Sequence, residues 1–292
     1  MYANIDRCCK VVTGIQNESE LASFLAKEQS IREPLDFVQW RCFFIENFND
    51  NESVFIFKCH HSLSDGMGLL LAMHSLTDHP EKQELPKVLV SLPFLKKAAI
   101  YLCAPFLMLY YGAESQINAM IEDNGLVSRV DKKQSILKNG CISSTIPLAK
   151  LLRVAKANKA SINDVVMTVI SNVMSEFFAE LGDTKTKEIK VGMPFSLRYD
   201  VHMNNQITML NVDMPLTETF KGGLPAVKAA IDILKASPKP YGYFFAVFVL
   251  VSAPRMLAIY LLEMSASMCS VVFSNVAGPK QPFIVDGAKV KN

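Results

Sequence analysis

The chain has 292 residues, half of them hydrophobic and 20% charged, which excludes a disordered chain and allows a large core shared between two domains or lobes. Thirty basic against twenty-eight acidic residues leave a net charge of +2. The charges are scattered without the concentrated basic patch of a nucleic-acid-binding protein, so no nucleic acid is expected as a partner.

Seven cysteines, with Cys8 and Cys9 adjacent and no C-x-x-C spacing, read as free, mostly buried thiols of a reducing compartment. No secretory signal is expected. The organisation expected is an N-terminal lobe over 1–125, a polar linker over 126–142 and a C-terminal lobe over 143–292.

In chain order, the turn cluster Asn49–Glu52 precedes Ser53–His61, whose β-branched and aromatic residues predict a strand. Gly66–Leu76 is apolar and free of proline, and predicts a buried helix. Ala98–Gly112 is uncharged but carries Pro105. It is too short for the roughly 20 apolar residues of a membrane span and reads as a core helix or a segment lying in the interface. Leu148–Asn158 predicts an amphipathic helix. Ser161–Asp164 offers N-cap side chains for a helix over Val165–Leu181, which ends at Gly182. Strands are predicted at Glu188–Met193, Ile207–Met214 and Cys269–Asn275, and a helix at Gly223–Leu234. Tyr241–Glu263 is strongly apolar, broken by Pro254 and Arg255. Mixed helices and strands throughout give an α/β (α+β) class.

The strongest local feature is His60-His61-Ser62-Leu63-Ser64-Asp65-Gly66. On a strand the two histidines point to opposite faces, so they do not share one task or chelate one metal. An isolated pair of this kind reads as two hydrogen-bonded histidines with Asp65 as an N-cap. The whole H-H-x-x-x-D-G string is more specific. It resembles the active-site motif of the CoA-dependent acyltransferase superfamily, which includes chloramphenicol acetyltransferase and condensation domains.

More closely, the chain resembles the wax ester synthase/acyl-CoA:diacylglycerol acyltransferase (WS/DGAT) family. Arg32-Glu33-Pro34-Leu35-Asp36 to Trp40 is similar to that family's lead-in, without its second Pro-Leu. Asn163-Asp164-Val165-Val166 is similar to its Asn-Asp-Val motif, and Pro194-Phe195-Ser196-Leu197-Arg198 to its P-x-S-L-R motif. Ser274-Asn275-Val276-Ala277-Gly278-Pro279 is similar to its S-N-V-P-G-P motif, with Ala277 in place of proline. Asn204-Asn205 stands where the family has Gly-Asn, and asparagine tolerates a left-handed turn there. Against the family pattern the chain looks shortened at both ends.

The resemblance implies a two-lobed fold, each lobe a mixed β-sheet with helices. It implies an acyl-CoA-dependent O-acyltransferase acting on a long-chain alcohol or diacylglycerol, with acyl-CoA as co-substrate, no bound cofactor and no metal. By the family pattern His61 is the general base and His60 a hydrogen-bonded structural neighbour. Asp65 is structural and pairs with an arginine, for which Arg198 is the candidate. Gly66 brings backbone N–H groups near a developing oxyanion. Asn163 and Asn275 line the site, or else serve as cap and turn residues. The resemblance also implies a membrane or lipid-droplet surface as a partner, at the cytosolic face of the endoplasmic reticulum or plasma membrane. The basic pair Lys96-Lys97 ahead of the apolar segment would face anionic headgroups. Two alternatives stay open: another acyl acceptor, or a catalytically silent homologue that binds lipid or a partner.

Overall fold

The computed structural model describes residues 5–49, 52–80, 93–121, 137–198, 200, 202–279 and 281–290. The chain divides into two compact units, one of Met1–Ser75, Lys133–Thr145 and His202–Asn205, the other of Leu76–Lys132, Ile146–Val201 and Gln206–Asn292. Most of the expected linker, over 126–136, lies outside the described residues.

In the first unit a short helix α1 (Ile5–Cys8) leads into β1 (Cys9–Val12). Helix α2 (Glu18–Gln29) follows, capped by Asn17, whose side chain accepts from the Glu20 N–H at 3.0 Å. Strands β2 (Trp40–Phe48) and β3 (Glu52–Cys59) form an antiparallel hairpin, and β1 pairs with β2 in parallel, giving a mixed three-stranded sheet. Asn47 and Asn49 enter the hairpin turn with φ of 56° and 47°, a conformation asparagine adopts more readily than most residues. Alternation then sorts the side chains. Val54 and Ile56 join Ile45, Phe48 and Leu21 in the core, while Phe55 and Phe57 stand exposed on the opposite face. Helix α3 (Gly66–Ser75) completes the unit.

The second unit contains α4 (Phe94–Ile121), α5 (Leu148–Ala157) and α6 (Ile162–Glu180). Strands β4 (Glu188–Ser196) and β5 (Ile207–Pro215) come next, then α7 (Phe220–Ala236), α8 (Lys239–Val251) and α9 (Arg255–Ser267). Strand β6 (Val271–Val272) and a terminal hairpin of β7 (Ile284–Val285) and β8 (Ala288–Lys289) follow. The main sheet runs β5-β4-β6, antiparallel then parallel. One face of it packs Ile189, Val191 and Met214 against Met167 and Phe178 of α6 and Val227 and Ile231 of α7. Along β5 the buried Leu210, Val212 and Met214 alternate with Met209 and Asn211, which line a cavity on the other face. Helix α8 lies close against α4: a Cβ on Gly242 would stand 2.9 Å from the Leu107 carbonyl oxygen.

Several expectations need correction. β3 stops at Cys59, so both histidines lie in the turn beyond the strand and the strand-face reading does not govern them. Helix α3 is half-buried, with Gly68 its one buried residue. Residues 98–112 belong to a 28-residue helix that continues through Pro105. Its Tyr101, Leu102, Phe106, Leu109 and Tyr110 are exposed rather than core. No described helix is long and apolar enough to cross a membrane. The strand expected over Cys269–Asn275 pairs only at Val271–Val272, because after the Phe273 N–H bonds the Gly192 carbonyl no further ladder bond to β4 forms. The cysteines are free, as expected, but only Cys8 is buried. Cys42, beside Cys9 across the β1–β2 pairing, has its thiol pushed up to about 11 by burial and by the neighbouring thiols.

Candidate active site

The lead-in motif folds into a bracket at the end of the β2–β3 hairpin. Glu33 takes Arg41 in a two-pronged contact, Nε to Oε1 at 2.7 Å and Nη2 to Oε2 at 2.6 Å, and meets Lys58 Nζ at 3.3 Å. Burial pushes the Glu33 carboxyl up, but the bonds and charges of Arg41 and Lys58 outweigh it and hold it below the usual carboxylate range. Gln39 Nε2 donates to the carbonyls of Pro34 at 2.9 Å and Phe37 at 3.0 Å. The Gln39 carbonyl then accepts the His60 N–H at 2.8 Å, immediately past the Trp40–Cys59 register pair. The sequence from Pro34 to Trp40 thus fixes where β3 ends and where the histidine turn begins.

Within the turn the two rings make opposite hydrogen bonds. The Ser62 N–H donates to His60 Nδ1 at 3.2 Å, and Ser62 Oγ lies 2.9 Å from the same nitrogen. A backbone N–H only donates, so His60 Nδ1 is the bare nitrogen and the neutral ring carries its proton on Nε2. His61 Nδ1 lies 3.1 Å from Asn205 Oδ1. The Asn205 amide is oriented by its Nδ2, which donates to the His61 carbonyl at 2.8 Å. Oδ1 only accepts, so His61 Nδ1 carries the proton and Nε2 is bare. Both rings are exposed, and neither is packed into solid interior.

Asp65 is buried beside them. Its Oδ1 accepts the Gly68 N–H at 2.8 Å, an N-cap on α3, and its own N–H donates to the Asn204 carbonyl at 3.4 Å. Ser64 Oγ also donates to the Asn204 carbonyl, at 3.3 Å. Gly66 opens α3, where helix N–H groups lack intrahelical partners. The segment 202–205 is therefore fastened to the histidine turn at His61, Ser64 and Asp65. Left-handed backbone among the described non-glycine residues falls at Asn47, Asn49, Lys159 and Asp286, not at Asn204 or Asn205. What Asn205 supplies is its side-chain amide rather than a turn. Its role was missed in the sequence because it depends on a contact 144 positions away. The available signal was its place at the family's Gly-Asn pair.

The remaining candidates lie in the second unit. Asn275 Nδ2 donates to Asn163 Oδ1 at 2.6 Å, joining two motifs 112 positions apart. Asn163 is not the helix cap. Ser161 and Asp164 form a reciprocal capping box, Asp164 N–H to Ser161 Oγ at 3.2 Å and Ser161 N–H to Asp164 Oδ2 at 2.7 Å. Arg198 is fully buried, and its Nη1 donates to the Asp200 carbonyl at 3.4 Å. Among the described residues no group of three His, Cys, Asp or Glu side chains could hold a metal ion.

The fold is that of the CoA-dependent acyltransferases and condensation domains. A condensation domain of the calcium-dependent antibiotic synthetase superposes with a TM-score of 0.50 at 14% identity, covering 96% of this chain and 61% of that one. The wax ester synthase/diacylglycerol acyltransferase of Marinobacter aquaeolei VT8 superposes with a TM-score of 0.59 at 17% identity, covering all of this chain and 67% of that one.

Within that class the chain is a relative of the WS/DGAT proteins, and residues 203–292 match the family model described as the WS/DGAT C-terminal domain. It is 26% identical to the O-acyltransferase WSD of Acinetobacter baylyi, over 93% of this chain and 65% of that protein. It is 26% identical to a probable diacylglycerol O-acyltransferase, Tgs4, of Mycobacterium tuberculosis, over 85% of this chain and 61% of that protein. The chain spans just under two thirds of the length of these curated relatives.

Proposed function

We propose that this protein transfers a fatty acyl group from acyl-CoA to the hydroxyl of a long-chain alcohol or diacylglycerol, with His61 as general base. The observation that carries this reading is the pair of opposite tautomers. Of the two neighbouring histidines, His61 alone presents a bare Nε2, while its Nδ1–H is committed to Asn205. An alcohol is a weak nucleophile at neutral pH, and a base placed on its proton contributes about 10²–10⁴-fold. In this reading His61 Nε2 removes the hydroxyl proton as the oxygen attacks the thioester carbonyl. The tetrahedral intermediate then collapses, the C–S bond breaks, and the Nε2–H returns the proton to the CoA thiolate. N–H groups at the start of α3, beginning with Gly66, stabilise the oxyanion. Asp65 holds the turn through its cap on α3, and the family pattern assigns its charge to Arg198. The linked Asn163 and Asn275 support the site.

The same reading places the protein on a membrane or lipid-droplet surface, at the cytosolic face. What supports this is the exposed apolar side of α4, where Leu102, Phe106 and Leu109 recur at helical spacing.

The test is ester formation from labelled palmitoyl-CoA with hexadecanol or diacylglycerol. His61→Ala is expected to lose about 10²–10⁴-fold and His60→Ala far less. Undiminished turnover by His61→Ala would reject the base, and absence of product from the unaltered chain would reject the activity.

A further inference from the structure

The second unit encloses a cavity of about 720 Å³ between α4, α8, α9 and β5, within the roughly 300–1,000 Å³ typical of small-ligand pockets. Its walls are almost entirely aliphatic, with Leu250, Leu257 and Leu261 among them. Polar side chains gather at one place on this wall. Ser115 and Gln116 of α4, Tyr243 of α8 and Ser265 of α9 all reach the cavity. They form one network: Ser115 Oγ lies 3.1 Å from Ser265 Oγ, Gln116 Nε2 donates to Ser265 Oγ at 2.9 Å, and Tyr243 is hydrogen-bonded to Ser115. One acceptor in it is unfilled. Gln116 Oε1 is buried and has no hydrogen-bond partner among the described residues. A buried acceptor without a donor is costly, and each such group in a native structure calls for an explanation.

We propose that this cavity binds a hydroxyl-bearing neutral lipid, its alkyl chain along the leucine walls and its hydroxyl donating to Gln116 Oε1. The unfilled group decides the ligand class. A thioester carries no donor, so an acyl-CoA tail would leave Oε1 unpaired. An ionised fatty acid also lacks a donor and would bring an unpaired charge into an apolar space. A lipid alcohol supplies both the chain and the proton. The hydroxyl of a long-chain alcohol and the free hydroxyl of a diacylglycerol share this chemistry. The occupant's role as acyl acceptor rests on the acyl-transfer reading; its binding does not.

The test is displacement of an environment-sensitive apolar fluorophore from the full chain by dodecanol, dodecyl methyl ether, dodecanoate and dioctanoylglycerol. Dodecanol or dioctanoylglycerol is expected to compete at about tenfold lower concentration than the ether, the worth of one buried hydrogen bond, and whichever does so names the source. Gln116→Met, of similar length without the acceptor, is expected to erase that preference while ether binding persists. Ala246→Leu, which narrows the cavity, is expected to weaken every competitor. Equal competition by alcohol and ether, a preference surviving Gln116→Met, or no displacement at all would overturn the proposal. Because no turnover is measured, these outcomes are separate from failure of ester formation.

Discussion

The amide of Asn205 grips His61 twice, through Oδ1 on the ring Nδ1 at 3.1 Å and through Nδ2 on the main-chain carbonyl at 2.8 Å. The second bond orients the amide, and the amide then selects the tautomer.

Asparagine 205 variants separate these two bonds. Asn205→Asp keeps an acceptor for Nδ1–H but loses the donor to the His61 carbonyl. Asn205→Leu loses both. Ester formation is expected to fall about tenfold in Asn205→Leu, the worth of about one hydrogen bond, and to be largely retained in Asn205→Asp. Nitrogen-15 NMR of the histidines is expected to report a bare Nε2 at His61 in the unaltered chain and in Asn205→Asp, but not in Asn205→Leu. Equal loss in both variants with unchanged tautomer would mean that Asn205 acts on the backbone alone.

Asp65 is buried and caps α3 through Gly68. Asp65→Ala is expected to lower stability by at least the cost of a lost N-cap, about 1 kcal/mol. Urea unfolding monitored by circular dichroism measures it. Asp65→Asn keeps an acceptor for the Gly68 N–H and is expected to recover part of the loss. An unchanged midpoint in Asp65→Ala would contradict the cap.

A pH effect is expected at the terminal hairpin. The Asp78 carboxylate accepts the Asp286 N–H at 2.7 Å and the Gly287 N–H at 2.8 Å, and the Gly287 and Asp286 bonds hold it below the usual aspartate range. A lowered folded value favours the hairpin above the unfolded pKa of about 3.9. That contribution is lost as pH falls through the lowered folded value. Amide exchange at Asp286 and Gly287 is expected to accelerate, beyond the intrinsic pH trend, in that acid window. The added acceleration is expected to vanish in Asp78→Asn.

The exposed side of α4 makes a prediction about lipid surfaces. Flotation with anionic liposomes is expected to carry the unaltered chain upward and to leave most of a Leu102→Glu/Phe106→Glu double variant behind. Both substituted positions are exposed, so folding is expected to survive. Equal flotation of the two proteins would discard α4 as the contact.

Local features were legible before any coordinates. The capping signals at Ser161–Asp164, the alternation on either side of Phe55 and the turn at Asp65 depend on neighbours a few positions away, and side-chain chemistry dictates them directly. The ordered motifs likewise pointed to the acyltransferase fold. The tertiary structure alone decided what lies far apart in the chain: that Asn205 reaches His61, that Asn275 reaches Asn163, and that Gln116 faces a cavity built from four elements. It also decided that the apolar run around Phe106 stands exposed rather than in the core. Apolar composition gives the tendency to leave water, but which surface covers a segment is settled only when distant elements pack.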